Sequence, residues 1–322
     1  MLEKYIEAFQ NLRTDRGRHR WSSLTTFRAP HKPFTLLSVL DLIDEGVITD
    51  NFIEVSYELL DNFNQYWSRI MPLGTSGNIA YPYSKLKTSG FWHLVPNQGY
   101  EEEAKHDIHS VTALREICAG AKLDDELFDL LIEVESRELL RMVIINEYFA
   151  EEIRPAIIEQ GSVNLHAYRY SEKLLRSEHP EIPSSDQEVL KKVRDQGFRK
   201  AIVSIYEHRC SICGIRILTP DGHTVVEAAH IVPWSETQDD NPDNGIAMCR
   251  LCHWSFDEGL LGINEEYRVL VSSFLSNASN NAGHIITFRD REILKPTMHK
   301  FIPNLTKLDW HRKKIFKRIA VS

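Results

Sequence analysis

"CRLCHWSFDEGL", residues 249–260, sets two cysteines, a histidine, an aspartate and a glutamate in one short stretch. A second pair lies upstream in "CSICG", residues 210–214. Four of the chain's five cysteines, Cys210, Cys213, Cys249 and Cys252, therefore stand in two C-x-x-C pairs. Two residues between ligands let a tight knuckle aim both sulfurs at one ion, and two knuckles complete a tetrahedral four-cysteine zinc site. Such a site is structural, because protein fills every position. The other reading is four buried thiols acting as small hydrophobes. Paired spacing in polar, turn-like settings argues against it. Cys118, alone in "REICAG", reads as a core residue.

The 322 residues suggest two domains. With 42% hydrophobic and 26% charged residues there is material for real cores. No apolar run approaches the roughly 20 residues that cross a membrane. "MLEKYIEAFQNLRTDRG" has no apolar signal region. No membrane partner is expected, and the expected compartment is the cytoplasm. Thiols stay reduced there, so paired cysteines point to metal or redox chemistry. The net charge of −8 argues against coating nucleic acid through bulk charge. A local basic surface would suffice, and two clusters exist: Arg13, Arg16, Arg18, His19 and Arg20, then Lys307, Arg312, Lys313, Lys314, Lys317 and Arg318. Each taken alone reads as a solvated face.

Along the chain, residues 1–20 read as an amphipathic helix ending in the basic cluster. "HKPFTLLSVLDLIDEG" reads as a buried helix, with Pro33 in its first turn and Gly46 as its stop. "NFIEVSYELLDNFNQYWSRI" has helical spacing. "YPYSKLKTSGFWHLVP" reads as a short strand or hairpin, with Tyr81 on a loop. Residues 123–158 are strongly helical. "SEHPEIPSSDQE" reads as a boundary, with Ser184 or Ser185 as the next helix cap. The expected domains are 1–160 and 188–322, joined by a linker over 161–187. In the second, a helix leads into the first knuckle, "HTVVEAAHIVPW" is a strand, and "GIAMCRLCHWSFDEG" turns into a helix. "YRVLVSSFL" and "HIITF" read as strands, and "LDWHRKKIFKRIAV" as a closing helix.

Three polar residues recur in order: His230 in "EAAHIVPWSE", Asn244 in "DNGIAMC", and His253 in "CHWSFDEGL". Here the sequence resembles the HNH endonuclease family over residues 188–322. The resemblance implies a ββα-metal active site, a hairpin and a helix gripping one divalent ion such as Mg2+ or Mn2+. It implies catalytic roles for His230, Asn244 and His253: His230 as general base, His253 as a metal ligand, and Asn244 orienting the base or tying the loop. A neutral imidazole suits proton abstraction near neutral pH. Asp257 lies four residues after His253, on the same helix face, and is expected as a second ligand. Many family members carry Asp or His directly before the base; this chain has Ala229. Glu227 is a weaker ligand candidate, since three residues from His230 along a strand it should face the other way, and a surface role is expected for it. His223 reads as a loop residue.

"RAPHKPFTLLSVL" and "YPYSKLKTSGFWHL" together resemble the sulfur-binding domain of phosphorothioate-dependent restriction endonucleases. The resemblance implies DNA or sulfur contacts at His31, Lys32, Tyr81, Pro82 and Lys85, with Lys87 as an alternative to Lys85. This chain carries Lys85 where the family can carry a small apolar residue. The competing reading makes Tyr81, Pro82 and Trp92 the core of a hairpin. The expected whole is an α+β protein: a mainly helical DNA-recognition domain, then an HNH nuclease domain with a structural zinc. It would be a type IV, modification-dependent enzyme acting on phosphorothioated double-stranded DNA. Cutting two strands takes two active sites, which makes a homodimer an expectation. The alternatives are an HNH nuclease reading another mark, such as modified cytosine, and a non-catalytic zinc DNA-binding protein.

Overall fold

Residues 31–44 carry apolar side chains on every face, with the polar Thr35, Ser38 and Asp41 among them, and such a helix must be covered on every side. The computed structural model, which describes residues 1–75, 77–276 and 283–317, buries Lys32 to Ile43 without a break. Around this segment stand α1 (Leu2–Gln10), α2 (His31–Asp44), α3 (Tyr57–Ile70), α4 (Ala80–Lys85), β1 (Trp92–Pro96), α5 (Val111–Ile117), β2 (Cys118–Leu123), α6 (Asp125–Ile132), α7 (Val134–Tyr148) and α8 (Arg154–Arg176). Side-chain caps start several of them: Ser56 accepts from Leu59 N at 3.2 Å, and Ser110 from Ala113 N at 3.1 Å. β1 and β2 pair antiparallel, Trp92 opposite Leu123. A buried Asp41–Arg141 ion pair, with Asn164 donating to Asp41 at 2.9 Å, pins α2 to α7 and α8. Breaking one partner of such a pair costs about 3–5 kcal/mol.

The second set is α9 (Gln187–Ile205), β3 (Val226–His230), α10 (Trp234–Thr237), β4 (Gly245–Cys249), α11 (Arg250–Asp257), β5 (Leu261–Ile263), β6 (Val269–Val271) and α12 (Leu305–Lys314). β3 and β4 pair antiparallel with Val226 opposite Cys249 and His230 opposite Gly245. Their connecting loop is thus 231–244, and α11 follows β4 directly. Gly245 lets α9 approach, since a Cβ there would lie 2.3 Å from Ile202 Cδ1.

The chain divides into two compact units, Met1–Leu165 with Pro220–His223, and the remainder from His166 onward. The segment 161–187, expected as a linker, is helical as far as Arg176. Asp186, not Ser184 or Ser185, caps α9, accepting from Glu188 N at 2.8 Å; Ser184 instead accepts from Asp186 N at 3.1 Å.

Three other expectations change. The first helix stops at Gln10, leaving the basic cluster on a turn-rich loop. "YPYSKLK" is helical, with Asn78 just before it accepting from Ala80 N at 2.8 Å and Pro82 in its first turn; only Trp92–Pro96 forms the expected strand. "HIITF" lies in a 3-10 turn, Gly283–Phe288; so short an apolar run has no period that separates strand from helix. The closing helix holds to Lys314, and the expected helix beyond 317, with Arg318, lies outside the described residues. No helix among the described residues is long and apolar enough to cross a membrane.

Candidate functional site

The first knuckle turns at Gly214, whose φ of +79° is the left-handed conformation that glycine adopts freely. Cys210 and Cys213 sit on it, Cys249 ends β4, and Cys252 lies in the first turn of α11. The knuckle is tied to the hairpin by Ser211 N donating to Ala247 O at 2.8 Å. All four sulfurs fall within 4.8 Å of one another, and Cys213 Sγ to Cys249 Sγ is 3.8 Å. Four sulfurs at about 2.3 Å from one zinc stand about 3.8 Å apart, so the donor set and its spacing fit the ion. Hydrogen bonds from Cys210, Cys213 and Cys252 lower the Cys249 thiol, favouring the thiolate that a metal needs.

Beside this cluster, His230, His253 and Asp257 line one cavity of about 400 Å³ with Trp234 and His311. His230 ends β3 and stacks flat on Phe198 of α9, the ring centroids 3.9 Å apart. His253 faces outward from α11. Its Nδ1 lies 3.0 Å from Glu227 Oε2 and its Nε2 3.4 Å from Asp257 Oδ2. Each ring nitrogen thus faces a carboxylate, and with the proton on Nδ1 toward Glu227 the Nε2 lone pair is left for an ion. Two ligands at about 2.1 Å from one cation stand about 3.0–3.4 Å apart, and two carboxylates beside one imidazole favour positive charge. Partial burial raises the Asp257 carboxyl above its ordinary value, opposed by His253. Glu227 therefore points at His253, held also by Arg250 Nε at 3.0 Å, and is not a plain surface residue.

Asn244 is fully buried and bonds only to backbone: it accepts from Val232 N at 3.0 Å and donates to Val232 O and Asp239 O at 3.0 and 2.9 Å. Of the two roles expected for it, this is the geometry of loop tying.

Several residues carried no usable signal in the sequence. Asp240, ten residues past the base in an acid-rich turn, lies 2.7 Å from His230 Nε2. Tyr170 and Arg194 reach Asp240 from α8 and α9. His311 is buried on the cavity wall, stacked on Phe256, with burial lowering its pKa to about 4. The C-terminal basic cluster is largely consumed by ion pairs, Lys307 with Asp239 and Asp243, Arg312 and Lys313 with Asp309, and Lys317 with Glu258.

In the first unit, His31, Lys32, Tyr81, Pro82 and Lys85 all line a second cavity, of about 770 Å³. The first turn of α2 brings His31 and Lys32 there, and α4 brings Tyr81, Pro82 and its last residue, Lys85. Arg13, Arg20 and Trp21 join them, which takes part of the N-terminal basic cluster off the plain solvated face. Lys32 is 7% exposed and has no hydrogen bond or ion pair among the described residues. Burial, then Lys85 and Arg13, pushes its pKa down to about 8. Burial likewise lowers His31 to about 4. Tyr81 is 42% exposed and stacks on His109 at 4.9 Å, while Pro82 is buried. Lys85 pairs with Asp107 at 2.6 Å. Lys87 donates to Ala104 O and His106 O, each at 2.8 Å, and so braces a loop.

Residues 210–264 match the family model of the HNH endonucleases. No curated protein matches the chain. Among solved structures, a modification-dependent TagI restriction endonuclease is similar at 24% identity and a TM-score of 0.29, over 42% of this chain and 44% of that one. The match thus spans less than half of that protein. Within a chain of mixed helices and small sheets, residues 210–264 form an HNH endonuclease domain whose four clustered cysteines can hold zinc.

Proposed function

We propose that the chain is a modification-dependent restriction endonuclease that binds phosphorothioated double-stranded DNA through its first unit, about residues 1–160, and hydrolyses phosphodiester bonds with its HNH domain. In the nuclease cavity, His230 takes a proton from water. His253 and Asp257 hold the divalent cation, Mg2+ or Mn2+, and Glu227 orients His253. A divalent ion there neutralises the charge that develops on the phosphate and leaving oxygen. Asn244 holds the 231–244 loop so that His230 keeps its position. The four cysteines keep hairpin and helix in register through zinc.

The observation that carries the substrate reading is the buried, unpaired Lys32 in a cavity that also has Tyr81 and Pro82 on its wall. A buried ammonium whose charged neighbours are cations is costly alone, and an anion relieves it. Phosphate and phosphorothioate both supply that anion. They differ in that sulfur is large, soft and poorly hydrated. Tyr and Pro can bury sulfur, whereas a phosphate oxygen pressed there loses its hydrogen bonds, at about 1–3 kcal/mol. Gel-shift titration of matched duplexes with and without one phosphorothioate, over a panel of flanking sequences, tests this. The marked duplex should bind more tightly, with one sulfur stereoisomer preferred. Equal affinities would sink the sulfur reading and leave the HNH reading standing.

A further inference from the structure

Of the carboxylates on the loop 231–244, none of them required by zinc or the divalent ion, Asp240 is the buried one. Asp240 is 6% exposed. Its Oδ1 lies 2.7 Å from His230 Nε2, and its Oδ2 accepts from the Tyr170 hydroxyl at 2.7 Å. Arg194 Nη1 stands 3.6 Å from the same carboxylate, and the Arg194 guanidinium lies 4.0 Å over the Trp234 ring. Three elements thus converge on one buried carboxylate, and its one imidazole partner is His230. The imidazole is also clamped face-on by Phe198.

The Asp240 carboxylate takes the Tyr170 hydroxyl hydrogen on Oδ2 and is an acceptor toward the ring on Oδ1. The hydrogen on the 2.7 Å contact therefore belongs to His230 Nε2. Nδ1 then carries a lone pair, and it has no hydrogen-bond partner among the described residues. We propose that Asp240, itself held by Tyr170, is a positioning residue that fixes His230 in the Nε2–H tautomer and leaves Nδ1 as the basic nitrogen. This rests on the nuclease reading above. In the step it serves, the water proton moves to Nδ1 and the water oxygen bonds to phosphorus. The bond to the leaving oxygen breaks, its electron pair staying on that oxygen. The Asp240 carboxylate offsets the imidazolium charge. Asp239, engaged by Lys307, lies on the same loop, and His253, Asp257 and His311 face the cavity.

Two readouts on the full chain test the proposal. The first is the 15N spectrum of the imidazoles, with the His230 signals assigned as those lost in His230→Gln. The neutral ring should carry its proton on Nε2. In Asp240→Asn, an amide that can turn its NH2 toward Nε2, the population should shift toward Nδ1–H. The second is cleavage kinetics. Asp240→Asn should lower kcat about 10²- to 10⁴-fold with KM little changed, and Tyr170→Phe about 3- to 10-fold. A parental ring with its proton on Nδ1 overturns the proposal, whatever the variants do. So does a parental kcat in Asp240→Asn, or a loss confined to KM with the tautomer retained. If the parental protein cuts no DNA, marked or unmarked, the nuclease reading fails separately, and the spectrum still decides the Asp240 assignment.

Discussion

In the first unit Lys32 is 7% exposed, with Lys85 and Arg13 opposing its charge, whereas in the HNH domain His230, His253 and Asp257 each meet an oppositely charged or hydrogen-bonding partner within 3.4 Å. In the HNH cavity the polar groups already have partners among themselves. The other is electrostatically incomplete until an anion arrives. The contrast follows from the two tasks. Catalytic groups must hold position before substrate binds, so they are braced by neighbours. A discriminating pocket gains its selectivity from groups that are unsatisfied without the right ligand.

The largest effect expected is on the scaffold under the braced site. Cys213→Ser should leave the HNH domain unfolded, because metal binding and folding are coupled. Metal analysis should find close to one zinc per parental chain, and well-folded protein without zinc would break the assignment. Next, His230→Ala should slow cleavage about 10²- to 10⁴-fold while DNA affinity stays near parental, since the base is removed and no zinc ligand is touched. A parental cleavage rate would remove His230 from the mechanism. Glu227→Gln should weaken divalent-ion affinity about 10- to 100-fold, read by titrating Mn2+, because His253 loses its anionic partner; unchanged affinity would make Glu227 a surface residue after all.

The effects expected at the unsatisfied cavity are smaller. Tyr81→Ala should cut the preference for the marked duplex by about 1–2 kcal/mol, chiefly through lost affinity for that duplex. Its own pKa direction gives Lys32 a pH signature. The pKa falls from 10.5 to about 8 in the folded chain, so the ammonium opposes folding at neutral pH, and that cost fades as pH rises through 8 toward 10.5. An anion favours the protonated form, so affinity for either duplex should be steady below about pH 7 and fall as pH rises through about 8. Lys32→Ala should weaken both duplexes and flatten the pH and salt dependence. A pH profile identical in the variant would assign the charge contact elsewhere.

The braced site was largely legible in the sequence because its chemistry sits on short spacings. Each C-x-x-C pair, and His253 four residues before Asp257, sit on short spacings, while His230 and Asn244 came from the resemblance to the HNH family, and the hairpin brings the groups together. Asp240 was not legible, since three aspartates crowd its turn and only the fold selects one of them. Tyr170 and Arg194 approach from separate helices, and no local spacing links them to His230. The recognition cavity draws on loops and helix starts far apart in the chain. Five of its residues were reached through two short stretches, while Arg13 and Arg20 read as ordinary solvated charge and His109 gave no signal. Tyr81 was expected on a loop because aromatic, Pro and Ser-Gly residues suggested a hairpin. That stretch is instead helical, over Ala80–Lys85.

The most direct test of the whole account is cleavage of one plasmid prepared in two forms, differing only in phosphorothioate at defined backbone positions, with Mg2+ or Mn2+ present and His230→Ala as control. The account predicts that the parental protein cuts the marked plasmid and leaves the unmarked one largely intact, and that His230→Ala cuts neither. Equal cutting of both forms would contradict the sulfur-dependent account.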